Sequence, residues 1–127
     1  MTKDVLKERT KSFALRMMTL VDNLPKNTKG VVIGDQLFRS ATSVAANYRA
    51  ACRARSTAEF ISKLGTALEE ADESAFWLEL IIEGCLLPKY RVEPLLAEAG
   101  ELSAIFFTAR RTKQRAMKRP DGSKFAE

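Results

Sequence analysis

The chain has 127 residues, a length that suits one domain and is sufficient to bury one hydrophobic core. Hydrophobic residues make up 46% of it and charged residues 29%, which excludes an intrinsically disordered chain. The N-terminal residues lack the apolar stretch of a signal peptide, and no apolar run approaches the roughly 20 residues of a membrane span. We therefore expect a cytoplasmic protein that does not contact a membrane.

The net charge of +5 is unevenly distributed along the chain. Residues 1–59 hold 11 basic and 5 acidic residues, residues 60–101 hold 3 and 9, and residues 102–127 hold 7 and 2. Such a separation is typical of oppositely charged faces that meet, within one chain or between subunits. It is also typical of a basic surface that binds nucleic acid.

Helical periodicity dominates the first half of the chain. Apolar residues recur at steps of three, four and seven residues over 3–24, which predicts the first helix, and Pro25 ends it. The second helix is predicted over 28–54, with Asn27 or Thr28 as its N-cap. The connection between the two helices is therefore short.

Two further helices follow. A capping box formed by Ser56 and Glu59 fixes the start of the third helix, predicted over 57–87, with Gly84 or Pro88 as its end. The apolar surface of this helix is too wide for a single stripe, which is typical of a helix with two partners. In a chain of this size the second partner can be another subunit.

The fourth helix is predicted over 92–117, and basic residues in its last turns suit the negative end of the helix. Four helices of this length with short loops predict an all-α, up-down-up-down four-helix bundle over residues 1–118. We expect residues 119–127, which include a Pro-Asp-Gly-Ser segment, to form a flexible tail.

Histidine, which much common catalytic chemistry requires, is missing from the sequence. Its absence removes the nucleophile–histidine pairs, the commonest general base and the histidine ligands of catalytic zinc. No glycine-rich phosphate-binding loop is present either. We therefore predict a protein with no enzymatic activity, catalytic residue, metal site, cofactor or small-molecule substrate.

The two cysteines, Cys52 and Cys85, form no metal-binding motif. Both fall on predicted helices at positions that suit a small apolar residue, so we expect two buried free thiols in a reducing compartment. A disulfide between Cys52 and Cys85 is the alternative, because the sequence does not give the distance between the two residues.

Carboxylates of the third helix are the best candidate for a polar site. Glu69, Asp72 and Glu73 share a helix face with Glu79 or Glu83. One helix alone cannot surround a metal ion, so we favour ion pairs with arginines near the second helix: Arg39, Arg49, Arg53 and Arg55.

Phe76 and Trp77 are adjacent and cannot both face one core, so one of them is free for a subunit interface, where aromatic residues are enriched. We assign that role to Trp77. The residues predicted to form an ion-pair network or an oligomer interface are therefore Arg39, Glu69, Glu73 and Trp77.

Basic residues form two groups that can neutralise phosphates and bind nucleic acid in a salt-dependent manner. Tyr48 and Tyr90 are the only aromatic residues near them that could stack on unpaired bases, so base-specific recognition is not expected. The candidate nucleic-acid contacts are Arg49, Arg53, Arg55, Lys63, Arg110, Arg111, Lys113 and Arg115.

Residues 36–47 read Gln-Leu-Phe-Arg-Ser-Ala-Thr-Ser-Val-Ala-Ala-Asn. This segment resembles the signature Gln-Leu-x-Arg-Ala-x-x-Ser-Ile, with an asparagine three residues on, of a bacterial four-helix-bundle family. Its members are encoded in intervening sequences of 23S ribosomal RNA genes. Glu59-Phe60 and residues 69–80 are also similar to it, and the resemblance covers roughly residues 5–112.

The chain departs from the family pattern directly after this segment. The family often continues Asn-Ile-Ala-Glu-Gly, whereas Asn47 is followed here by Tyr-Arg-Ala-Ala, so the arginine-rich turn at 49–55 looks like that of a sub-branch. Arg39, Ser43 and Asn47 are the polar residues that match the signature. Hydrogen bonding inside the bundle and contact with nucleic acid are both open roles for them.

The resemblance implies a cytosolic protein that forms a pentameric ring of bundles and has no enzymatic activity. A related group, the accessory proteins of diversity-generating retroelements, binds RNA and DNA through a basic pentamer. The leading hypothesis is therefore a homo-oligomer, with a pentamer favoured, that acts as a scaffold or as an accessory protein binding RNA or DNA. The alternatives are a protein-interaction module with no nucleic-acid binding and an enzyme with a carboxylate-bound metal.

Overall fold

The computed structural model describes residues 1–118, and in this part of the chain it contains four α-helices and no strand. The helices are α1 (Lys3–Asp22), α2 (Thr28–Cys52), α3 (Thr57–Glu83) and α4 (Lys89–Met117). Each helix packs against its neighbours in the sequence, and α1 also contacts α4. The predicted all-α fold is confirmed, whereas the predicted tail at 119–127 lies outside the described residues. None of the described helices combines the length and the apolar character needed to cross a bilayer.

Side-chain caps explain where the first three helices begin. Oxygens of Thr2, Asn27 and Ser56 accept hydrogen bonds from first-turn amides at 3.1, 2.9 and 3.0 Å, which satisfies donors that have no partner inside the helix. The Glu59 carboxylate does not close the capping box on Ser56 as predicted. It accepts from the backbone N–H of Arg55 at 3.2 Å, one residue earlier.

The junction between α3 and α4 differs from the prediction. Helix α3 ends at Glu83 with Gly84 as its C-cap, so the first of the two predicted ends is correct and the bound at 87 is not. The next residue, Cys85, adopts a left-handed backbone conformation with φ of 59°. The chain then turns, and α4 begins at Lys89, three residues before the predicted 92, directly after Pro88. The predicted burial of both cysteines is wrong, since Cys85 is exposed in this turn and Cys52 is only partly buried.

One continuous hydrophobic core joins the four helices. Its largest fully buried side chains are Phe13, Met17, Leu37, Val44, Leu64, Leu78, Ile81, Val92, Leu102 and Phe106. Small residues bring α2 and α3 close together: the hydroxyls of Ser40 and Ser74 form a buried hydrogen bond of 3.0 Å. Between α1 and α4, Arg9 donates from Nε and Nη2 to the two oxygens of Glu98, at 2.7 and 2.8 Å.

Helix α3 has both of its apolar partners inside the chain, because it packs against α2 and α4. Its wide apolar surface therefore does not require a second subunit, which corrects the interpretation drawn from the sequence. The two adjacent aromatic residues also differ from expectation. Trp77 packs partly buried against the core, whereas the Phe76 side chain is 49% exposed.

We expect Gly30→Ala to lower the free energy of unfolding by about 1–3 kcal/mol, the usual cost of an overpacked site. A Cβ at this buried position would lie 1.9 Å from the backbone oxygen of Pro25, so the chain would have to move. Urea unfolding measures the effect. The matched control is Gly100→Ala on the exposed face of α4, where a Cβ meets no atom within 4 Å. Equal stability of the two variants would contradict the prediction.

Candidate nucleic-acid interface

The antiparallel helix order brings three distant segments to one end of the bundle. These are residues 1–11 of α1 with its cap, residues 49–63 around the α2–α3 turn and residues 107–118 of α4, which we call the basic end. They meet at Phe60, whose ring centre lies 5.6 Å from Lys3 Nζ and 5.8 Å from Lys113 Nζ. The two basic groups separated in the sequence therefore belong to one surface.

The charge of this surface is strongly positive. Its three segments contain 13 of the lysines and arginines and only 3 carboxylates, whereas the rest of the described chain contains 6 basic and 11 acidic residues. All eight predicted nucleic-acid contacts lie in it. Of these eight, Arg55 alone forms an ion pair with a described residue, Glu59, at 3.7 Å. The other seven guanidinium and ammonium groups form no ion pair with a carboxylate of residues 1–118.

Two concave features open between the helices of the basic end. A groove of about 480 Å³ runs between α1 and α2, with small side chains at its base and charged residues along its sides. It is lined by Asp4, Lys7, Glu8, Lys11, Ala45, Ala46, Arg49 and Arg53. A smaller cleft of about 260 Å³ lies at the tip, where Lys3, Arg55 and Lys113 surround Cys52 and Phe60. Arg49 and Arg53 thus line the groove with α1, and neither forms the predicted ion pair with α3.

Neither of the tyrosines considered for base stacking is available at the basic end. Tyr48 is buried and stacks on Phe106 with ring centres 5.7 Å apart, and burial raises the pKa of its hydroxyl. Tyr90 is exposed, but it lies in the first turn of α4 at the opposite end of the bundle. Two phenylalanines do lie here: Phe60, which is partly buried, and Phe107, which is 53% exposed. A surface with many exposed cations and one exposed aromatic ring suits contact with phosphates more than with bases.

A separate ion-pair network joins the outer sides of α2 and α3. Arg39 donates to Glu73 and, at 3.2 Å, to Glu70, and Trp77 Nε1 donates to Glu73 at 3.0 Å. The hydrogen bond from Trp77 and then that from Arg39 hold the pKa of Glu73 below its usual range. Bonds with both carboxylates raise the pKa of Arg39. The predicted member Glu69 is exposed and forms no ion pair with a described residue, so Glu70 takes its place.

The remaining polar residues of the signature segment bond inside α2. Asn47 Nδ2 donates to the backbone oxygen and to Oγ of Ser43, both at 2.9 Å. These partly buried groups therefore have partners within the bundle. Within residues 1–118, cysteine and acidic side chains nowhere gather in a group that could hold a metal ion.

The structure thus defines a class, the all-α four-helix bundles, with the positive charge concentrated at one end. The family model of the 23S rRNA-intervening sequence protein matches residues 3–108, and the chain belongs to this family. The resemblance read from residues 36–47 is confirmed. One similar solved structure is that of a protein with unknown function from the S23 ribosomal protein family of Bacteroides thetaiotaomicron VPI-5482. It is 34% identical with a TM-score of 0.81, and the similarity covers 87% of this chain and 99% of that one. No curated protein matches the chain.

We expect Glu73→Gln to lower the free energy of unfolding at neutral pH by at most about 1 kcal/mol, because the pair with Arg39 is largely exposed. A lowered pKa in the folded state stabilises the protein above the usual glutamate value of 4.5, and this contribution is lost as the pH falls through the folded pKa. The difference in unfolding free energy between the variant and wild type should therefore be constant around neutral pH. It should shrink only as the pH falls below 4.5. Urea titrations at several pH values measure it. Glu69→Gln, on the same helix, is the control and should show no such pH dependence.

Proposed function

We propose that this protein is a non-enzymatic accessory protein whose basic end binds the phosphate backbone of RNA or DNA. The observation that carries the proposal is the meeting of the α2–α3 turn and the end of α4 on one surface with few carboxylates. Each phosphate neutralised by a lysine or arginine releases condensed counterions, so such a surface gives affinity without sequence recognition.

We further propose a cytoplasmic homo-oligomer, with the pentamer that the family resemblance implies. Large apolar side chains are exposed on all four helices. Burial of this apolar surface between copies of the chain would be favourable, which supports an interface. The exposed side chains include Leu15, Met18, Val31, Val32, Phe38, Phe76 and Phe107. The same residues favour the second candidate function, a protein-interaction module that does not bind nucleic acid. A pull-down from the native cell with and without nuclease separates the two, since only a nucleic-acid-bridged partner disappears with nuclease.

Nucleic-acid binding is tested with a labelled 20-nucleotide RNA and with duplex DNA in a salt titration followed by fluorescence anisotropy. Affinity should fall steeply with salt. The variant with Arg49, Arg53, Arg111 and Arg115 changed to glutamine should reduce the slope of log K against log salt. The expected reduction is about 0.7–0.9 for each phosphate that the variant no longer neutralises.

The matched control removes four exposed charges at the opposite end, by changing Lys26, Lys29, Lys89 and Arg91 to glutamine. It should change the slope little, although its net charge equals that of the first variant. No binding by wild type at low salt would contradict the proposed function, and so would an equal weakening in the two variants.

The oligomeric state is tested by light scattering at micromolar concentration. A pentamer has five times the 14.2 kDa mass of the chain. Phe38→Ser and Phe76→Ser each replace an exposed aromatic, and at least one of them should lower the assembled mass while the helical circular dichroism is retained. A monomeric mass for wild type would contradict the assembly.

A further inference from the structure

Arg110 is held differently from the other basic residues at the basic end. Its Nε donates to the backbone oxygen of Ile61, across the α3–α4 contact, at 3.1 Å. The same guanidinium lies directly against α3 at Gly65: a Cβ at that position would be 2.9 Å from Nε and 3.2 Å from Cζ of Arg110. The residue is partly buried, whereas Arg111 and Arg115 are exposed.

This arrangement fixes the direction of one guanidinium before any ligand arrives. A long cationic side chain that is free in solution loses rotamer freedom when it binds, and that loss weakens the contact. Arg110 has already lost much of this freedom through its bond to Ile61 and its packing at Gly65. Its terminal Nη1 and Nη2 groups form no hydrogen bond with the described residues, so they remain available as donors.

We propose that Arg110 is the preorganised phosphate-binding residue of the basic end, and that Gly65 and the Ile61 carbonyl position it. The inference rests on the proposed function and names the group that recognises the phosphodiester. The two Nη groups form a planar pair of donors that matches two oxygens of one phosphate, which a lysine ammonium cannot do. The other basic residues contribute charge, and Arg110 contributes geometry as well.

The competing explanation is that Arg110 only links α4 to α3. A substitution at Gly65 distinguishes the two roles. The atoms that an added methyl group would meet there belong to the end of the flexible Arg110 side chain. Gly65→Ala should therefore displace the guanidinium without disturbing the backbone. Alanine also favours helix more than glycine does, which offsets the lost hydrogen bond between Arg110 and Ile61, so the variant should unfold at about the same temperature. A residue with only a structural role would leave RNA affinity unchanged in a variant of this stability and charge.

The experiment measures binding of the labelled 20-nucleotide RNA at constant salt, together with thermal unfolding. Gly65→Ala should weaken binding about fivefold or more, roughly the contribution of one hydrogen bond, although the net charge is unchanged. Gly100→Ala is the control, since a Cβ there meets no atom within 4 Å, and it should bind as wild type does.

A second pair of variants tests the geometry of the donor. Arg110→Lys keeps the charge but lacks the planar donors, so it should lose most of the affinity that Arg110→Ala loses, the remainder being the effect of the charge. Arg91→Lys, at an exposed position at the opposite end of the bundle, should bind as wild type does. If wild type binds RNA and both Gly65→Ala and Arg110→Lys bind equally well, the inference is overturned while the proposed function stands. If wild type does not bind, the proposed function fails and the inference fails with it.

Discussion

The packing of α3 between α2 and α4 is the contact on which the other features of this molecule depend. It covers the two apolar sides of α3 with helices of the same chain. The hydrogen-bonded hydroxyls of the small residues Ser40 and Ser74 allow α2 to approach α3 closely. Because successive helices run in opposite directions, the same packing sets the start of α3 beside the ends of α2 and α4. The position of every charge at the basic end follows from this order.

The concentration of positive charge has a physical cost that the fold has to offset. Like charges within about one Debye length, roughly 10 Å at 0.1 M salt, repel one another and oppose folding. Elsewhere in the described bundle two of the six cations lie beside carboxylates, Arg39 beside Glu73 and Lys89 beside Glu93. At the basic end only a few of the cations have such a partner among the described residues. The basic end differs from the rest of the described chain in its excess of cations over carboxylates, 13 against 3, and this excess is what the proposed phosphate ligand would offset.

Local signals in the sequence predicted what is local in the structure. The helix periods, the N-caps at Asn27 and Ser56, and the two basic groups follow from residues close together in the chain. What depends on long-range register was not predictable. Glu69 and Glu70 occupy successive positions around the axis of α3. Only the rotation of α3 about its axis relative to α2 decides which of them pairs with Arg39. The same rotation leaves Phe76 exposed and packs Trp77, the reverse of the assignment from sequence.

The packing of Arg110 against Gly65 is an example of a contact that local sequence patterns do not predict. Gly65 lies in the middle of a helix, where glycine lowers stability relative to alanine and local propensity gives no reason for it. Its reason lies 45 positions later in the sequence, in the guanidinium that occupies the space of the missing side chain. The family pattern locates the bundle but not this contact. The chain also departs from that pattern at 49–55, within the same basic end. Exposed positions at helix ends can change at little cost in stability, so similarity of fold to a relative fixes the scaffold and leaves the surface charge to each chain.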